Sequence, residues 1–339
     1  MSPRSKLRGI IWIEGKKMAE DRAIQDILKV RHELLKAMRE YFYDLGYIEV
    51  ETANLMRTAP PDPQIDPLAV FVEKSGPWHL HTSPEMGMKK LLAAGSEKIF
   101  QICKVYRVEE FDEIHGIEFT MLEWYRKGGY RDMMQEVEAL VLFVADRLLH
   151  DRRTGFTKPF RAYDLESLFI EKTGIDPFVL DRDGLFRALQ TKGFAGIDDR
   201  DDWNSLFFKL FIQDIEPAME SDAPYFVIDW PQSISTMAKR KRGNPMKVER
   251  FELYINGLEV ANGYTELLDS EEQRARFLAD NQERARLGKD TFPIDEEFVG
   301  SLSGLDGVYT GVSVGVDRLL MALLGKTRID DVMVNRFRA

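Results

Sequence analysis

The sequence predicts an α+β fold in which an antiparallel sheet is flanked by helices, and three observations lead there. Apolar residues recur at three-to-four spacing over 22–45, the mark of an amphipathic helix, with further helices over 131–150 and, highly charged, over 270–286. Between them, strand-like segments follow one another through loops too short for parallel crossovers, which argues against a Rossmann sheet. Finally, Asn256-Gly257, a dipeptide suited to a hairpin turn, separates two such segments.

Taken in order, Ile24, Ile27, Leu28, Leu34, Leu35, Met38, Phe42 and Leu45 line one face of the first helix, and Gly46 ends it. A strand over 47–51 leads into a loop broken by Pro60, Pro61, Pro63 and Pro67. Two short strands over 68–73 and 78–82 precede a helix with Ser83 as N-cap, Pro84 in its first position and Gly95 past its end. Strands over 98–106 and 117–125 flank the loop 108–116, and helix resumes at 131. Residues 161–222 read as a mostly helical insertion without a chemical signature. Strands return at 225–230, 250–255 and 258–267, followed by the charged helix 270–286 and a last strand and helix within 309–324. Lys239-Arg240-Lys241-Arg242, before Gly243-Asn244-Pro245, reads as a solvated basic loop, with a phosphate or partner contact as the alternative.

The 339 residues carry 57 acidic and 47 basic side chains, a formal charge of −10, which disfavours broad nucleic-acid binding. At 44% hydrophobic, the chain has enough apolar surface for a sizeable core, and dominant disorder is excluded. Its single cysteine, Cys103, allows no internal disulfide and no four-cysteine zinc cage, and the expected setting is cytoplasmic. The apolar run 10–13 is too short for an export signal, and the run 139–144 meets Asp146 and Arg147, so no membrane span is expected.

Period-two spacing puts Ile117, Phe119, Met121, Glu123 and Tyr125 on one strand face. Gln101, Cys103, Val105, Arg107 and Glu109 share a face of the neighbouring strand. Glu252 and Glu259 lie seven apart across the Asn256-Gly257 turn; Asn262, Tyr264 and Glu266 alternate out of phase with Glu259, so a bulge near 261–263 is needed to bring all to one cleft. Taken singly, each carboxylate reads as a solvated side chain on an ordinary strand. Together, clustered carboxylates repel and call for cations: magnesium with a nucleotide triphosphate, an ammonium-bearing substrate, or both. No Walker-type phosphate loop is present, and His79 and His81, two apart, read as ordinary polar packing.

These residues resemble the catalytic domain of class II aminoacyl-tRNA synthetases, in their lysyl branch, over about residues 22–325. The first class II motif resembles the helix 22–45 with Tyr47-Ile48-Glu49-Val50-Glu51-Thr52. The second resembles Val105-Tyr106-Arg107-Val108-Glu109-Glu110 and His115-Gly116-Ile117-Glu118-Phe119-Thr120-Met121-Leu122-Glu123-Trp124-Tyr125. The third resembles Gly311-Val312-Ser313-Val314-Gly315-Val316-Asp317-Arg318-Leu319. Thr82-Ser83-Pro84-Glu85, Arg250-Phe251-Glu252 and the run from Glu259 to Leu267 are lysyl-type segments. Within that branch the chain is most similar to the short paralogues that ligate (R)-β-lysine to elongation factor P. About twenty residues, 1–21, precede the catalytic domain 22–339, which leaves no room for an anticodon-binding barrel. Three positions depart from the pattern: Ala53 replaces a proline, Gly116 an asparagine, and Ser313 stands where lysyl-tRNA synthetases have glycine and β-lysine ligases alanine.

The resemblance implies that Arg107 and Arg318 are catalytic, with Arg107 on the α-phosphate of ATP, Glu109 at the adenine, and Phe119 and Arg318 enclosing the adenine ring. It adds Val108, His115, Gly116, Val260 and Gly315 to the ATP site. Glu252 and Glu259 hold Mg2+. Ser83, Pro84, Glu85 and Glu123 meet one amine of lysine or (R)-β-lysine, Tyr125 and Glu266 the other; Asn262 takes the carboxylate, and Tyr264 and Ser313 complete that pocket. The expected partners are elongation factor P as acceptor and a second copy of the chain in a homodimer, with tRNA disfavoured. A truncated lysyl-tRNA synthetase and a non-catalytic regulatory paralogue are the competing readings; the latter is disfavoured because Arg107, Glu109, Glu252, Glu259, Glu266 and Arg318 are all present.

Overall fold

The computed structural model describes residues 3–108, 112–149, 156–219 and 223–333, and of residues 3–23 only the helix they form. The chain runs through helix α1 (Pro3–Asp44), strand β1 (Ile48–Glu49), the strands β2 (Leu55–Met56), β3 (Ala69–Val72) and β4 (Gly76–Leu80), and helix α2 (Glu85–Ala93). The long pair β5 (Lys98–Tyr106) and β6 (Glu118–Lys127) comes next, then helix α3 (Tyr130–Leu149). A stretch with β7 (Arg161–Asp164), α4 (Leu165–Thr173), α5 (Arg182–Thr191) and α6 (Trp203–Leu210) precedes β8 (Tyr225–Ile228). The remainder holds β9 (Arg240–Lys241), β10 (Asn244–Val248), β11 (Arg250–Ile255), β12 (Leu258–Thr265), α7 (Ser270–Arg286), α8 (Glu296–Leu302), β13 (Tyr309–Gly315) and α9 (Val316–Leu324).

Among the described residues the main sheet has eight strands in the order β1-β5-β6-β13-β12-β11-β8-β7. Its centre is antiparallel, as the short loops require, but each edge strand is parallel to its neighbour: β1 to β5, and β7 to β8. The antiparallel core read from the sequence is present, and the parallel pairs lie at its two edges, where the chain has a whole helix or more in which to cross over. The described part of the stretch 161–222 opens with the edge strand β7 and continues in α4, α5 and α6.

Alternation decides what each face carries. Phe100, Trp124, Val312, Phe251 and Ile228 point to the side where α1, α3 and α9 pack, in the largest apolar cluster. The opposite face holds rows of register partners: Gln101, Glu123, Ser313, Asn262 and Glu252 in one, and Ile99, Tyr125, Gly311, Tyr264 and Arg250 in the next. At its far end, Tyr225, Val227 and Tyr254 join the apolar core of α4, α5 and α6.

The Asn256-Gly257 turn forms as expected, with φ of 52° and 74° at its two residues, the pair of positive values a type I′ hairpin needs. The bulge lies one step earlier than the sequence suggested. Leu253 faces Ala261 while Tyr254 faces Glu259, so Val260 is the extra residue, and it brings Glu259 into phase with Asn262. Helix α7 begins where Asp269 accepts a bond from the Glu272 amide, carries Glu271 and Glu272 in its first turn, and ends with Arg284 and Arg286, matching its dipole. Helix α2 starts one residue later than expected: Pro84 is the cap, and the Ser83 hydroxyl accepts from the Glu85 amide while donating to Glu123. The basic segment 239–242 is not a loop but the start of the β9–β10 hairpin, where Lys241 pairs with Asp229 and Arg240 with Glu272. No helix among the described residues is long and apolar enough to cross a membrane.

Arg31 of α1 ties the layers together. Its guanidinium donates to Asp317 Oδ1 at 2.5 Å and to Thr120 Oγ1 at 2.8 Å, and Asp317 Oδ2 in turn accepts from the Thr120 amide. One buried carboxylate therefore fixes the start of α9 against β6 and α1, with every bond charge-assisted.

Candidate active site

A cavity of about 1230 Å³ opens on the polar face of the sheet. Its floor comes from Phe119, Met121, Glu123 and Tyr125 of β6, Asn262 and Tyr264 of β12, and Gly311, Ser313 and Gly315 of β13. Ser83, Glu85, Arg107, His115, Gly116, Glu259, Val260 and Arg318 line it as well, so most residues named from the sequence converge on it.

Two arginines face a phenyl ring and an imidazole in its first arm. The Arg107 guanidinium lies 5.3 Å from the Phe119 ring centre, and its Nε donates to the Thr82 carbonyl at 3.2 Å. Arg318 donates to the Glu259 carbonyl at 3.2 Å and contacts His115 Nε2 at 2.6 Å, while His115 Nδ1 is 2.6 Å from Asp112. The arrangement presents an aromatic face and two cations to whatever enters.

A second group is almost wholly polar yet buried. Glu123 accepts from Tyr125 at 2.5 Å and from Ser83 at 2.7 Å; Glu85 accepts from Tyr264 at 2.5 Å and from Lys89 Nζ at 2.5 Å. Lys89, only 1% exposed, also contacts the Glu266 carboxylate, whose oxygens otherwise have no hydrogen-bond donor. Burial, then the charge of Glu85, raises the Glu123 carboxyl to about 7. Burial raises Glu266 further still, to about 8, although Lys89 pulls it back down. Such a cluster favours an incoming cation, because each added positive charge lets a carboxylate ionise.

The third group surrounds Glu252. Its oxygens accept from Arg250 at 2.6 Å, Asn262 at 3.2 Å and Tyr254 at 2.8 Å, and burial together with the Glu259 charge pushes its carboxyl up to about 8. Glu259 itself is half-exposed, 3.8 Å from Arg318. Among the described residues no group of three or more His, Cys, Asp or Glu side chains makes a metal cage. The pair Glu252 and Glu259 nonetheless fits magnesium, which takes one or two carboxylates and completes its shell with phosphate oxygens and water.

Several expected residues sit elsewhere. Glu266 and Glu252 lie behind the cavity wall, Glu266 at Gly311 and Tyr125 and Glu252 beneath Asn262, because the strand face is two side chains deep at these places. Pro84 caps α2 away from the cavity, and Val108 turns its side chain to solvent while its amide donates to Asp66. Glu109 lies outside the described residues. Ser313 Oγ donates to the Asn262 carbonyl at 3.3 Å, so its hydroxyl is engaged by the neighbouring strand.

Lys89 and Arg250 were given no role from the sequence, the first because lysine is rarely buried, the second because it entered only as the first residue of the segment Arg250-Phe251-Glu252. The spacing of Lys89 four after Glu85 on a capped helix was the available signal. The stretch 161–222, which carried no chemical signature, contributes Asp202, Trp203, Asn204, Ser205 and Phe208 to a far arm of the cavity, whose lining also includes Asp62 and Asp280.

A sequence profile described as tRNA synthetases class II (D, K and N) matches residues 17–335. The chain is 36% identical to the elongation factor P–(R)-β-lysine ligase of Haemophilus influenzae strain PittGG, over 91% of this chain and 94% of that protein. It is equally similar, at 36%, to the proteins of the same name from Pectobacterium atrosepticum, over 92% and 94%, and Vibrio cholerae serotype O1, over 90% and 93%.

Proposed function

Because the chain belongs to the class II tRNA synthetases of the D, K and N type, we propose that it activates (R)-β-lysine or lysine with ATP and transfers it to a lysine side chain of elongation factor P. It is a ligase, as its relatives are. The observation that carries the reading is the buried set Glu85, Glu123 and Glu266, a receptor for ammonium groups, beside a cavity arm with two arginines suited to a nucleotide.

The chemistry follows from these charges. The substrate's amines are held by Glu85, Glu123 and Glu266 with Tyr125, and its carboxylate by Asn262. That carboxylate is ionised at neutral pH and attacks the α-phosphate of ATP without a general base; pyrophosphate leaves. Arg107 offsets the charge that builds on the phosphate, and Phe119 and Arg318 enclose the adenine. Magnesium at Glu252 and Glu259 supplies charge neutralisation of the phosphates when bound. In the second step a neutral lysine amine of the acceptor attacks the acyl carbonyl and AMP leaves. The far arm, with Asp62, Trp203 and Asp280 in its lining, is where we place that amine.

We further propose a homodimer, supported by the exposed Ile24, Leu28, Tyr43, Leu45 and Ile48 along α1 and β1, and a cytoplasmic location, where a lone thiol stays reduced. tRNA is disfavoured as acceptor, since a charge of −10 weakens phosphate attraction. The test is mass spectrometry of elongation factor P incubated with enzyme, ATP and either lysine isomer, with total tRNA in parallel. An aminoacyl mass on the protein is expected. Alkali-labile label on tRNA, with none on the protein, would overturn the acceptor.

A further inference from the structure

We propose that Lys89 is the positioning residue that sets the charge of the amino-acid pocket to match a substrate with two ammonium groups; this rests on the activation reading above. Three buried carboxylates, Glu85, Glu123 and Glu266, stand against one buried ammonium, that of Lys89, so the pocket, once its carboxylates are ionised by an incoming cation, presents two net negative charges. The neighbouring phenols add none, because burial and the surrounding carboxylates keep Tyr125 and Tyr264 protonated. A diammonium amino acid closes this balance. A monoammonium one leaves a carboxylate buried and unpaired, which must take up a proton or lose its favourable site.

The local structure makes Lys89 a fixed part of the pocket rather than a flexible surface cation. It lies one helical turn after Glu85 on α2, between Met86 and Met88 on one side and Leu92 on the other, all buried. Its ammonium bridges Glu85 and Glu266, sits 5.5 Å from the Tyr264 ring centre and 3.9 Å from Met237 Sδ. The next residue, Lys90, points the other way, to Asp295 and Glu297. Burial works to neutralise Lys89, but Glu266 and Glu85 outweigh it and hold the amine above its ordinary value, so it stays charged throughout the working range. Lys89 does not reach the cavity itself. It acts through Glu85 and Glu266, by holding both carboxylates in place and by lowering the proton affinity of Glu266.

The groups that face these carboxylates from packed elements are Glu85 and Lys89 of α2, Glu123 and Tyr125 of β6, and Tyr264 of β12. Removing the cation raises the proton affinity of Glu266, which Lys89 otherwise lowers, and ammonium binding must then displace a proton up to a higher pH. The experiment measures kcat/KM for lysine-dependent ATP–pyrophosphate exchange from acid to alkaline pH in the wild type, in Lys89→Met and in Glu85→Gln/Lys89→Met. In Lys89→Met the acid limb should move up by about one pH unit, about a tenfold loss at neutral pH that largely disappears at the alkaline plateau. The double variant removes one charge of each sign and should return the limb close to its wild-type position, whatever its absolute KM. A structural role alone would lower the melting temperature or the plateau without moving the limb. An unmoved limb in folded Lys89→Met overturns the proposal. Should that variant fail to fold, a limb in the double variant displaced by a full unit overturns it equally, and one at the wild-type position supports it. A wild type without lysine- or β-lysine-dependent exchange removes the activation reading and this one with it, whereas exchange with an unmoved limb removes this one only.

Discussion

Gly311 of β13 pairs with Tyr125 of β6, and a Cβ on Gly311 would fall 2.2 Å from the Tyr125 ring and 2.6 Å from Glu266 Oε1. No side chain fits there without displacing both. Gly311→Ala should therefore raise KM for lysine steeply, by about 10²-fold or more, at an overpacking cost of about 1–3 kcal/mol in stability. Exchange kinetics and thermal melts check the two effects separately. An alanine variant with wild-type KM would mean that the amines bind elsewhere.

Arg107 faces the phenyl ring of Phe119 in the arm proposed for ATP. Arg107→Ala should slow exchange on the order of 10²-fold or more, since a charge-assisted contact to the reacting phosphate is lost. Exchange at wild-type speed would sink the assignment.

Glu266 is 3% exposed and shares Lys89 with Glu85. Glu266→Gln preserves size but removes a counter-ion from a buried ammonium, and binding of lysine should weaken by about 3–5 kcal/mol. Titration calorimetry with both lysine isomers is the measurement, and unchanged affinity for both is the adverse outcome.

Acidity and stability are linked through Glu123, Glu252 and Glu266, whose carboxyls burial raises to about 7, 8 and 8. A group whose folded value is raised contributes stability that is fully present below its unfolded value and is lost as pH rises through the folded one. The unliganded enzyme should thus melt at a lower temperature at pH 9 than at pH 6. ATP, magnesium and lysine together should offset much of that fall, because they bring cations to the same carboxylates. Glu252→Gln should flatten the profile and raise the magnesium requirement of exchange. A melting temperature independent of pH over this range would argue against the cluster.

The exposed Ile48, on the edge strand β1, belongs to the surface proposed for dimerisation. Ile48→Asp should shift the enzyme toward monomers in sedimentation velocity. If the wild type itself sediments as a monomer at micromolar concentration, that surface serves another purpose.

The rows of the active face were legible because a strand has period two: Phe119, Glu123 and Tyr125 follow from sequence spacing alone. So was the hairpin at Asn256-Gly257, whose turn chemistry is local. What escaped the sequence depended on contacts between distant segments. Lys89 becomes a site residue only because Glu266, 177 positions later, folds against it. Arg250 does so because it meets Asn262, Ser235 and Glu252 at once. The parallel edge strands were hidden for a similar reason, since β1 and β7 are short and their pairing is fixed by the helices that follow rather than by their own residues. The family resemblance named many residues that the fold gathers around one cavity, but it could not say which line the wall and which lie behind it.

Val260 acts on β12 as a reading-frame shift acts on a message. Before it, an odd-numbered residue, Glu259, addresses the active face; after it, the even-numbered Asn262, Tyr264 and Glu266 do. The strand is thereby divided into two independently phased words, one spelling the proposed metal position and the other the amino-acid pocket. Deleting Val260 would restore a single frame and force one of the two words onto the wrong side of the sheet. Substitutions that leave the bulge in place keep both words in phase, so side chains can change at 264 and 266 while Glu259 stays on its own side of the sheet.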